Sequence, residues 1–208
     1  MSGLIGKKVG MTNMYDENGR NFAVTVIEVD PCVVTQIKTE ENDGYKALQL
    51  AAFDKKEKSV SQQVLGHFRK AGASPKKYVK EFRDFDTEGF ELGDTLKIED
   101  VFTVGDSVDV VGISKGRGFT GVVKRHGFSG VGEATHGQHD RQRHPGSIGQ
   151  ASDPARVFKG IKMAGRSGNN RTKIKNLTIA KILPESNMML VTGSVPGPNG
   201  RIVEIYNR

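Results

Sequence analysis

Residues 114–175 read SKGRGFTGVVKRHGFSGVGEATHGQHDRQRHPGSIGQASDPARVFKGIKMAGRSGNNRTKIK, and this stretch limits what the chain can fold into. It holds 13 Lys or Arg against three acidic residues, together with 12 glycines and four of the chain's five histidines. Its net charge is +10, whereas the rest of the chain sums to −3. Because apolar surface is too scarce here to offset the entropy of ordering, we expect the stretch to fold only against a polyanion.

The composition of the whole chain points to nucleic acid as that polyanion. Of its 208 residues 36% are hydrophobic, which is enough for one sizeable core. The pI is near 9.5, which favours nucleic acid or an anionic membrane surface. The sequence shows no basic amphipathic helix, no signal-peptide core and no apolar run of membrane-spanning length. We therefore expect no membrane partner and a cytoplasmic location.

A single cysteine, Cys32, limits the redox chemistry of the chain. It excludes a disulfide framework and a Cys-based zinc site, and it fits a reducing compartment. We predict that Cys32 is a small buried hydrophobic residue.

Short strand patterns on both sides of the basic stretch predict a mainly β fold. The predicted strands cover residues 4–11, 22–27, 33–39, 45–53, 108–113, 177–183, 188–195 and 202–206. Turn sequences such as Asn42-Asp43-Gly44 separate them. Strands at this spacing with few helices indicate a small closed β-barrel whose two halves flank the basic stretch.

Residues 54–98 differ in composition from the strands around them and predict an inserted α/β portion. A short helical pattern covers residues 60–70 and is stopped by Gly72, and a mixed strand pattern follows at 76–85. The predicted domains are a β-barrel base formed by residues 1–113 and 176–208, which contains the insertion at 54–98, and a long, basic, irregular loop extension at 114–175.

Two glycine motifs in the extension approach nucleotide-binding patterns. Residues 116–121, GRGFTG, fit the dinucleotide pattern but lead into VVKRHGFSGVG and not into a long apolar helix. Residues 160–167, GIKMAGRS, approach a P-loop but have Arg166 where a flexible lysine is needed. We expect no cofactor at either motif and interpret the glycines as allowing close approach of the backbone to phosphate.

One cluster of potential metal ligands occurs in the sequence THGQHDRQRHPG. It comprises His136, His139, His144 and Asp140. Two arginines in the same sequence disfavour a dication, so we expect no metal and assign the histidines to RNA, where imidazole donates to phosphate or stacks on a base. A metal-dependent nuclease or hydrolase that uses this cluster is the enzymatic alternative.

Several long motifs, in order along the chain, resemble one protein family. They are LIGKKVGMT at 4–12, FTVGDSVDVVGISKGRGFTGVVKRHGF at 102–128, ATHG at 134–137, HPGSIGQ at 144–150, VFKGIKMAGRSGNNR at 157–171 and SVPG at 194–197. The family that they resemble is the bacterial form of the universal large-subunit ribosomal protein L three. Two features depart from the bacterial pattern: the chain has no tryptophan, so Phe128 stands near the position of one, and residues 138–143 are richer in charge.

The resemblance implies a non-enzymatic structural constituent of the large ribosomal subunit. It implies binding to the large-subunit (23S-type) rRNA near its 3′ end, nucleation of early subunit assembly, and a barrel base on the subunit surface with an inserted α/β portion. The extension would run toward the peptidyl transferase centre with its tip at residues 144–153. Gln150 matches a glutamine that is methylated in some members, which implies a glutamine methyltransferase as a partner beside the rRNA and neighbouring ribosomal proteins.

We expect rRNA binding from basic, hydrogen-bonding and stacking side chains, with counterion release as phosphates are neutralised. The residues are Lys7, Lys8, Lys115, Arg117, Lys124, Arg125, His126, Phe128, His136, His139, Arg141, Arg143, His144, Ser147, Gln150, Arg156, Lys159, Lys162, Arg166, Asn169, Asn170, Arg171 and Lys173. A nucleic-acid chaperone or regulator acting away from the ribosome is the second alternative.

Overall fold

A computed structural model describes residues 2–83, 85, 89–132 and 136–208 of the chain. The chain divides into two compact units: Met1–Ser114 with Arg171–Arg208, and Lys115–Asn170. The end of the predicted strand at 76–85 and the first two residues of the ATHG motif involve positions outside the described residues.

The regular elements lie mainly in the first unit. In chain order they are β1 (Gly3–Tyr15), β2 (Asn21–Glu28), β3 (Cys32–Lys38), α1 (Glu40–Asp43), β4 (Ala47–Asp54), a 3-10 turn (Glu57–Ser59), α2 (Gln62–Lys70), β5 (Lys76–Arg83), β6 (Thr95–Leu96), α3 (Ile98–Val101), β7 (Ser107–Ile113), β8 (Phe119–Thr120), α4 (Val122–His126), β9 (Gly165–Arg166), β10 (Arg171–Leu183), a second 3-10 turn (Pro184–Ser186), β11 (Met188–Thr192) and β12 (Ile202–Asn207).

Six strands of the first unit close into an antiparallel barrel in the order β1-β12-β7-β10-β11-β2. Val108 and Val110 of β7 and Val203 and Ile205 of β12 are buried inside the first unit. β-Branched residues suit the pleated surface of such strands, and their alternation with more polar positions places the apolar side chains in the core. The predicted mainly β fold with a closed barrel is confirmed.

A four-stranded antiparallel sheet, in the order β5-β4-β3-β6, forms the rest of the first unit with its short helices. α2 turns Leu65 and Phe68 inward, at the i, i+3 spacing of one helix face. The sheet and the barrel share one apolar cluster, in which the ring of Phe82 lies 5.2 Å from that of Tyr206. The sheet includes β3 and β4, so the α/β portion reaches further toward the N-terminus than the predicted insertion at 54–98.

The basic stretch leaves the barrel from β7 and returns into β10, which are neighbouring strands. Ile113 is the register partner of Arg171, and the pairing continues along both strands to Ile174 opposite Val110. The boundary expected at residue 175 therefore falls inside β10. Residues 171–175 were predicted to belong to the extension because three of the five are basic. Two of these cations have carboxylate partners in the barrel.

Most of the predicted elements are present with shifted ends. α2 corresponds to the helical pattern at 60–70 and is followed by Gly72 at a φ of +65°, while β1 is longer than expected. Cys32 is fully buried, as predicted, and burial raises the pKa of its thiol to about 11. None of the helices in the described residues has the length and apolarity that a membrane crossing requires.

Candidate nucleic-acid interface

The two limbs of the second unit are joined near its start by a two-stranded ribbon of β8 and β9. Phe119 pairs with Arg166 and Thr120 with Gly165. Next to the ribbon, the amide of Arg117 donates to the carbonyl of Ser167 at 2.9 Å, and the amide of Ser167 donates to the carbonyl of Gly118 at 3.0 Å. These backbone bonds give the extension a hydrogen-bonded base of its own.

Two glycines allow the limbs to approach each other closely. Gly168 has a φ of +72°, and a Cβ atom there would overlap the carbonyl of Lys115. Gly130, at a φ of +73°, would overlap the carbonyl of Gln142 in the same way. At these two positions, which lie outside the two glycine motifs, the close neighbour is the chain's own backbone.

α4 makes a second connection between the limbs. A guanidinium nitrogen of Arg125 donates to the carbonyl of Met163 at 2.7 Å, and Nε2 of His126 lies 3.1 Å from the same oxygen. The ring of Phe128 lies 6.0 Å from that of His126. Arg125 and His126, which were both predicted to bind rRNA, connect the two limbs of the extension in the structure.

Most predicted site residues of the second unit are exposed. The exposed ones are Lys115, Arg117, Lys124, Arg125, His136, His139, Arg141, Arg143, His144, Ser147, Gln150, Arg156, Lys159, Lys162, Arg166, Asn169 and Asn170. His126 and Phe128 are half-buried. The structure therefore presents the predicted cations to solvent, where a polyanion has access to them.

Residues 139–153, which include the predicted tip at 144–153, are all exposed. Ser147 makes hydrogen bonds through its hydroxyl with both the amide and the carbonyl of Gly149, which shapes the turn before Gln150. Within the part of the chain that the structure describes, no three His, Cys, Asp or Glu side chains come together as metal ligands. Residues 139–153 present hydrogen-bonding and cationic side chains to solvent.

The two glycine motifs lead into short or irregular structure. Residues 116–121 precede α4, which has five residues and offers no long helix to a pyrophosphate. Residues 160–167 contain only the two-residue strand β9, and the irregular residues 167–170 follow where a P-loop requires a helix.

The cations of the two units differ in their partners. In the first unit, ion pairs with carboxylates are made by Lys7, Lys38, Lys76, Lys80, Arg171 and Lys173. In the second unit, none of the ten Lys or Arg makes an ion pair with a carboxylate of the described residues. Ten cations without an ion pair among the described residues are the strongest electrostatic feature of the molecule.

Two predicted rRNA-binding residues, Arg171 and Lys173, lie on β10 and meet acidic partners there. Arg171 donates to Glu204 at 2.7 Å, and Lys80 lies 3.1 Å from the other carboxylate oxygen. Burial would raise the pKa of Glu204, but the hydrogen bonds from these two cations outweigh it and hold the pKa below its ordinary value. Lys173 pairs with Asp109 at 2.8 Å.

Lys7 and Lys8 lie on β1 in different environments. Lys7 is half-buried and pairs with Glu28 at 3.0 Å. Lys8 is only 6% exposed, and its ammonium donates to the carbonyls of Val195 at 3.0 Å and Gly197 at 3.2 Å. Lys8 is therefore buried, beside a register shift of β1 against β2 between Lys8 and Gly10. Its contact with rRNA stays a prediction.

Exposed apolar side chains among the cations were missed by the sequence prediction. Phe119 is 80% exposed, and Phe158 is 53% exposed with the guanidinium carbon of Arg156 at 5.5 Å from its ring centre. Their exposure could have been predicted from their position in the sequence, because an aromatic residue in a stretch without a core has no apolar surface to pack against. Met163, which the sequence did single out as lacking a core, is 36% exposed.

Comparison with known proteins agrees with this architecture. Residues 77–186 match the family model described as Ribosomal protein L3. The chain is 58% identical over 207 residues to the large ribosomal subunit protein uL3 of Salinibacter ruber, a match that covers 100% of this chain and 99% of that protein.

The barrel, its basic extension and these matches define a structural ribosomal protein and not an enzyme. The chain belongs to the ribosomal protein L3 family. It is accordingly a component of the large ribosomal subunit, which agrees with the expected location on the ribosome in the cytoplasm.

Proposed function

We propose that this protein binds the large-subunit rRNA through its second unit, Lys115–Asn170, while the first unit anchors both ends of that extension. One observation carries the proposal: the ten Lys and Arg of the extension make no ion pair with a carboxylate of the described residues, whereas six cations of the first unit do. An RNA backbone supplies the missing anions, and each neutralised phosphate releases counterions.

The anchoring reduces the entropy that ordering on RNA costs. Because Ile113 and Arg171 are register partners, the two ends of the extension start side by side on neighbouring strands. The ribbon of β8 and β9 and the contacts of Arg125 and His126 with Met163 order the first part further. A pre-ordered segment loses less conformational freedom on binding than a free chain of the same charge.

The finer functional assignment follows the family. We propose that the tip, residues 144–153, reaches toward the peptidyl transferase centre, that binding nucleates early subunit assembly, and that neighbouring ribosomal proteins contact the barrel. Gln150 is exposed at this tip, so its side chain is accessible to a glutamine methyltransferase before assembly. Mass spectrometry of the protein from native subunits tests the modification, since N5-methylation adds about 14 Da to the peptide that contains Gln150.

A matched pair of double variants tests RNA binding by the extension. Lys159→Gln with Lys162→Gln removes two exposed cations of the second unit, and Lys55→Gln with Lys58→Gln removes two exposed cations of the first unit at the same sequence spacing. With in vitro transcribed large-subunit rRNA, we expect the extension variant to lower the slope of log affinity against log salt by about 1.4 to 1.8. The first-unit variant should leave the slope unchanged. Equal slopes for both variants and the wild type would contradict the proposal.

A further inference from the structure

The ribbon of β8 and β9 has an inner and an outer face. Thr120 is 6% exposed and its hydroxyl lies 3.4 Å from the carbonyl of Gly165, so this pair faces inward. Phe119, one residue earlier, is 80% exposed. Successive residues of a strand point to opposite faces, so the ring of Phe119 stands on the outer face.

A guanidinium accompanies this ring on the outer face. Arg166 is the direct register partner of Phe119 and is itself exposed. Direct partners in an antiparallel pair have Cβ atoms about 5 Å apart on the same face. Gly118 and Gly121 flank Phe119 and its strand neighbour, so these positions carry no side chain that would crowd the ring.

The backbone that carries the ring is held in place, and the ring is open to solvent. Backbone hydrogen bonds of the ribbon hold the segment in place, and among the described residues no aromatic or cation–π partner of Phe119 is found. An exposed, pre-positioned aromatic ring beside a guanidinium is the arrangement that binds a nucleotide, because the ring stacks on the base and the fork of arginine matches a phosphate.

We propose that Phe119 and Arg166 form a stacking site for one unpaired RNA base, with Arg166 on the adjacent phosphate. The proposal rests on the proposed function, since it assumes that the extension lies in RNA. Charge favours a nucleotide over an apolar protein surface as the occupant: the unit that carries the ring holds ten Lys or Arg against three acidic residues. An apolar partner would leave Arg166 and its basic neighbours without anions.

Replacement of the ring tests the site in the full chain. We expect Phe119→Ala to weaken binding to in vitro transcribed large-subunit rRNA by roughly 5- to 150-fold, the range for loss of one base stack. The salt slope should stay unchanged, because no charge is lost. Phe119→Tyr keeps the ring and should restore wild-type affinity, and Arg166→Gln should lower the slope by about 0.7 to 0.9.

Tyr15→Ala is the matched control. Tyr15 is 71% exposed at the end of β1, and its register partner is the uncharged Asn21. Thermal unfolding should show that both alanine variants are folded, since each side chain is mostly exposed. If Phe119→Ala binds rRNA as well as Tyr15→Ala does, the stacking site is overturned while rRNA binding by the wild type still stands.

Two further outcomes separate the remaining possibilities. Wild-type protein that binds the rRNA without salt dependence would overturn the proposed function itself. A Phe119→Ala protein that binds naked rRNA normally but is lost from purified large subunits would show that Phe119 contacts another ribosomal protein, and this would also contradict the stacking site.

Discussion

Lys8 and Lys159 show that the surroundings of a lysine decide its role. Lys8 is buried and donates to two backbone carbonyls of the segment before β12, whereas Lys159 is exposed in the extension. Both were predicted to bind rRNA, because the sequence shows the charge of a lysine but does not show whether its side chain is buried. A buried ammonium with hydrogen-bond acceptors stabilises the fold, and an exposed one is available to phosphate.

The role of Lys8 predicts a stability effect. Lys8→Met removes the donor to the carbonyls of Val195 and Gly197, which would leave buried acceptors without this partner. We expect a loss of about 1 to 3 kcal/mol in the free energy of unfolding by chemical denaturation. Lys7→Met, which removes a half-exposed ion pair, should cost less. Unchanged stability of Lys8→Met together with a weaker, less salt-dependent rRNA affinity would refute this assignment.

Glu204 predicts a pH dependence of stability. Its carboxylate accepts hydrogen bonds from Arg171 and Tyr206 and pairs with Lys80, and the pKa is lowered in the folded protein. A lowered folded pKa contributes stability above the unfolded pKa, near 4.5, and that contribution is lost as the pH falls through the folded value. Glu204→Gln should therefore cost about 1 to 2 kcal/mol at pH 7, with the exposure of Arg171 and Lys80 keeping the figure low.

Unfolding free energies of both proteins between pH 7 and pH 3 check this. The difference between wild type and Glu204→Gln should shrink as the pH falls below about 4.5. A difference that is constant over this range would show that the charge of Glu204 contributes nothing to stability.

At the scale of elements, strands were predictable where alternating or short apolar runs are bounded by turn residues. β2, β7, β11 and β12 follow from their Val, Ile and Met positions. The start of β10 was missed because its first residues, RTKIK, carry three cations. Only the structure shows that Asp109 on the neighbouring strand β7 and Glu204 on β12, the strand beyond it, balance two of them. Pairing across strands is a long-range property that a local pattern does not contain.

For the candidate site, the sequence predicted the charge of the extension but not the contacts within it. The basic character and exposure of the extension follow from its composition, so most of the predicted cations are where a polyanion has access to them. Arg125 and His126 contact Met163, which follows them in the sequence by 38 and 37 residues. No spacing rule in the sequence anticipates such a contact.

The ribbon at the base of the extension predicts a graded effect of glycine substitution. Gly168→Ala imposes a positive φ on alanine and also an overlap with the carbonyl of Lys115, whereas Gly146→Ala imposes a positive φ with open space around it. We expect Gly168→Ala to increase hydrogen exchange within Lys115–Asn170 and to weaken rRNA binding several-fold, roughly 1 kcal/mol or more. Exchange in the barrel should be unaffected.

The Gly146→Ala variant controls for the backbone strain alone. It should show a smaller change in both exchange and affinity than Gly168→Ala. Equal behaviour of the two variants would mean that the contact between the limbs does not order the extension.

At the scale of the whole molecule, charge is divided between the two units. Residues 115–170 carry a net charge of +7, which equals the formal charge of the entire chain, so the rest of the protein is neutral overall. The neutral unit holds the barrel core and the ion pairs, and the cationic unit has little apolar interior. The folded core and the proposed RNA-binding segment thus lie in different parts of one chain.

This division predicts that the first unit folds without the extension. Ile113 and Arg171 are register partners, about 5 Å apart, so a short Gly-Ser linker from Ser114 to Arg171 can replace residues 115–170 as a hairpin turn. We expect the shortened protein to unfold in one cooperative transition by circular dichroism. A chain that is unfolded or lacks a cooperative transition would show that the extension is needed for the barrel.

The salt dependence of rRNA binding by the full chain and by this shortened protein tests the central claim most directly. We expect a slope of log affinity against log salt of magnitude about 5 or more for the full chain, since ten cations are available, and a slope near zero with much weaker binding for the shortened protein. A folded shortened protein that keeps the affinity and the slope of the full chain would contradict the claim that the extension carries the RNA binding.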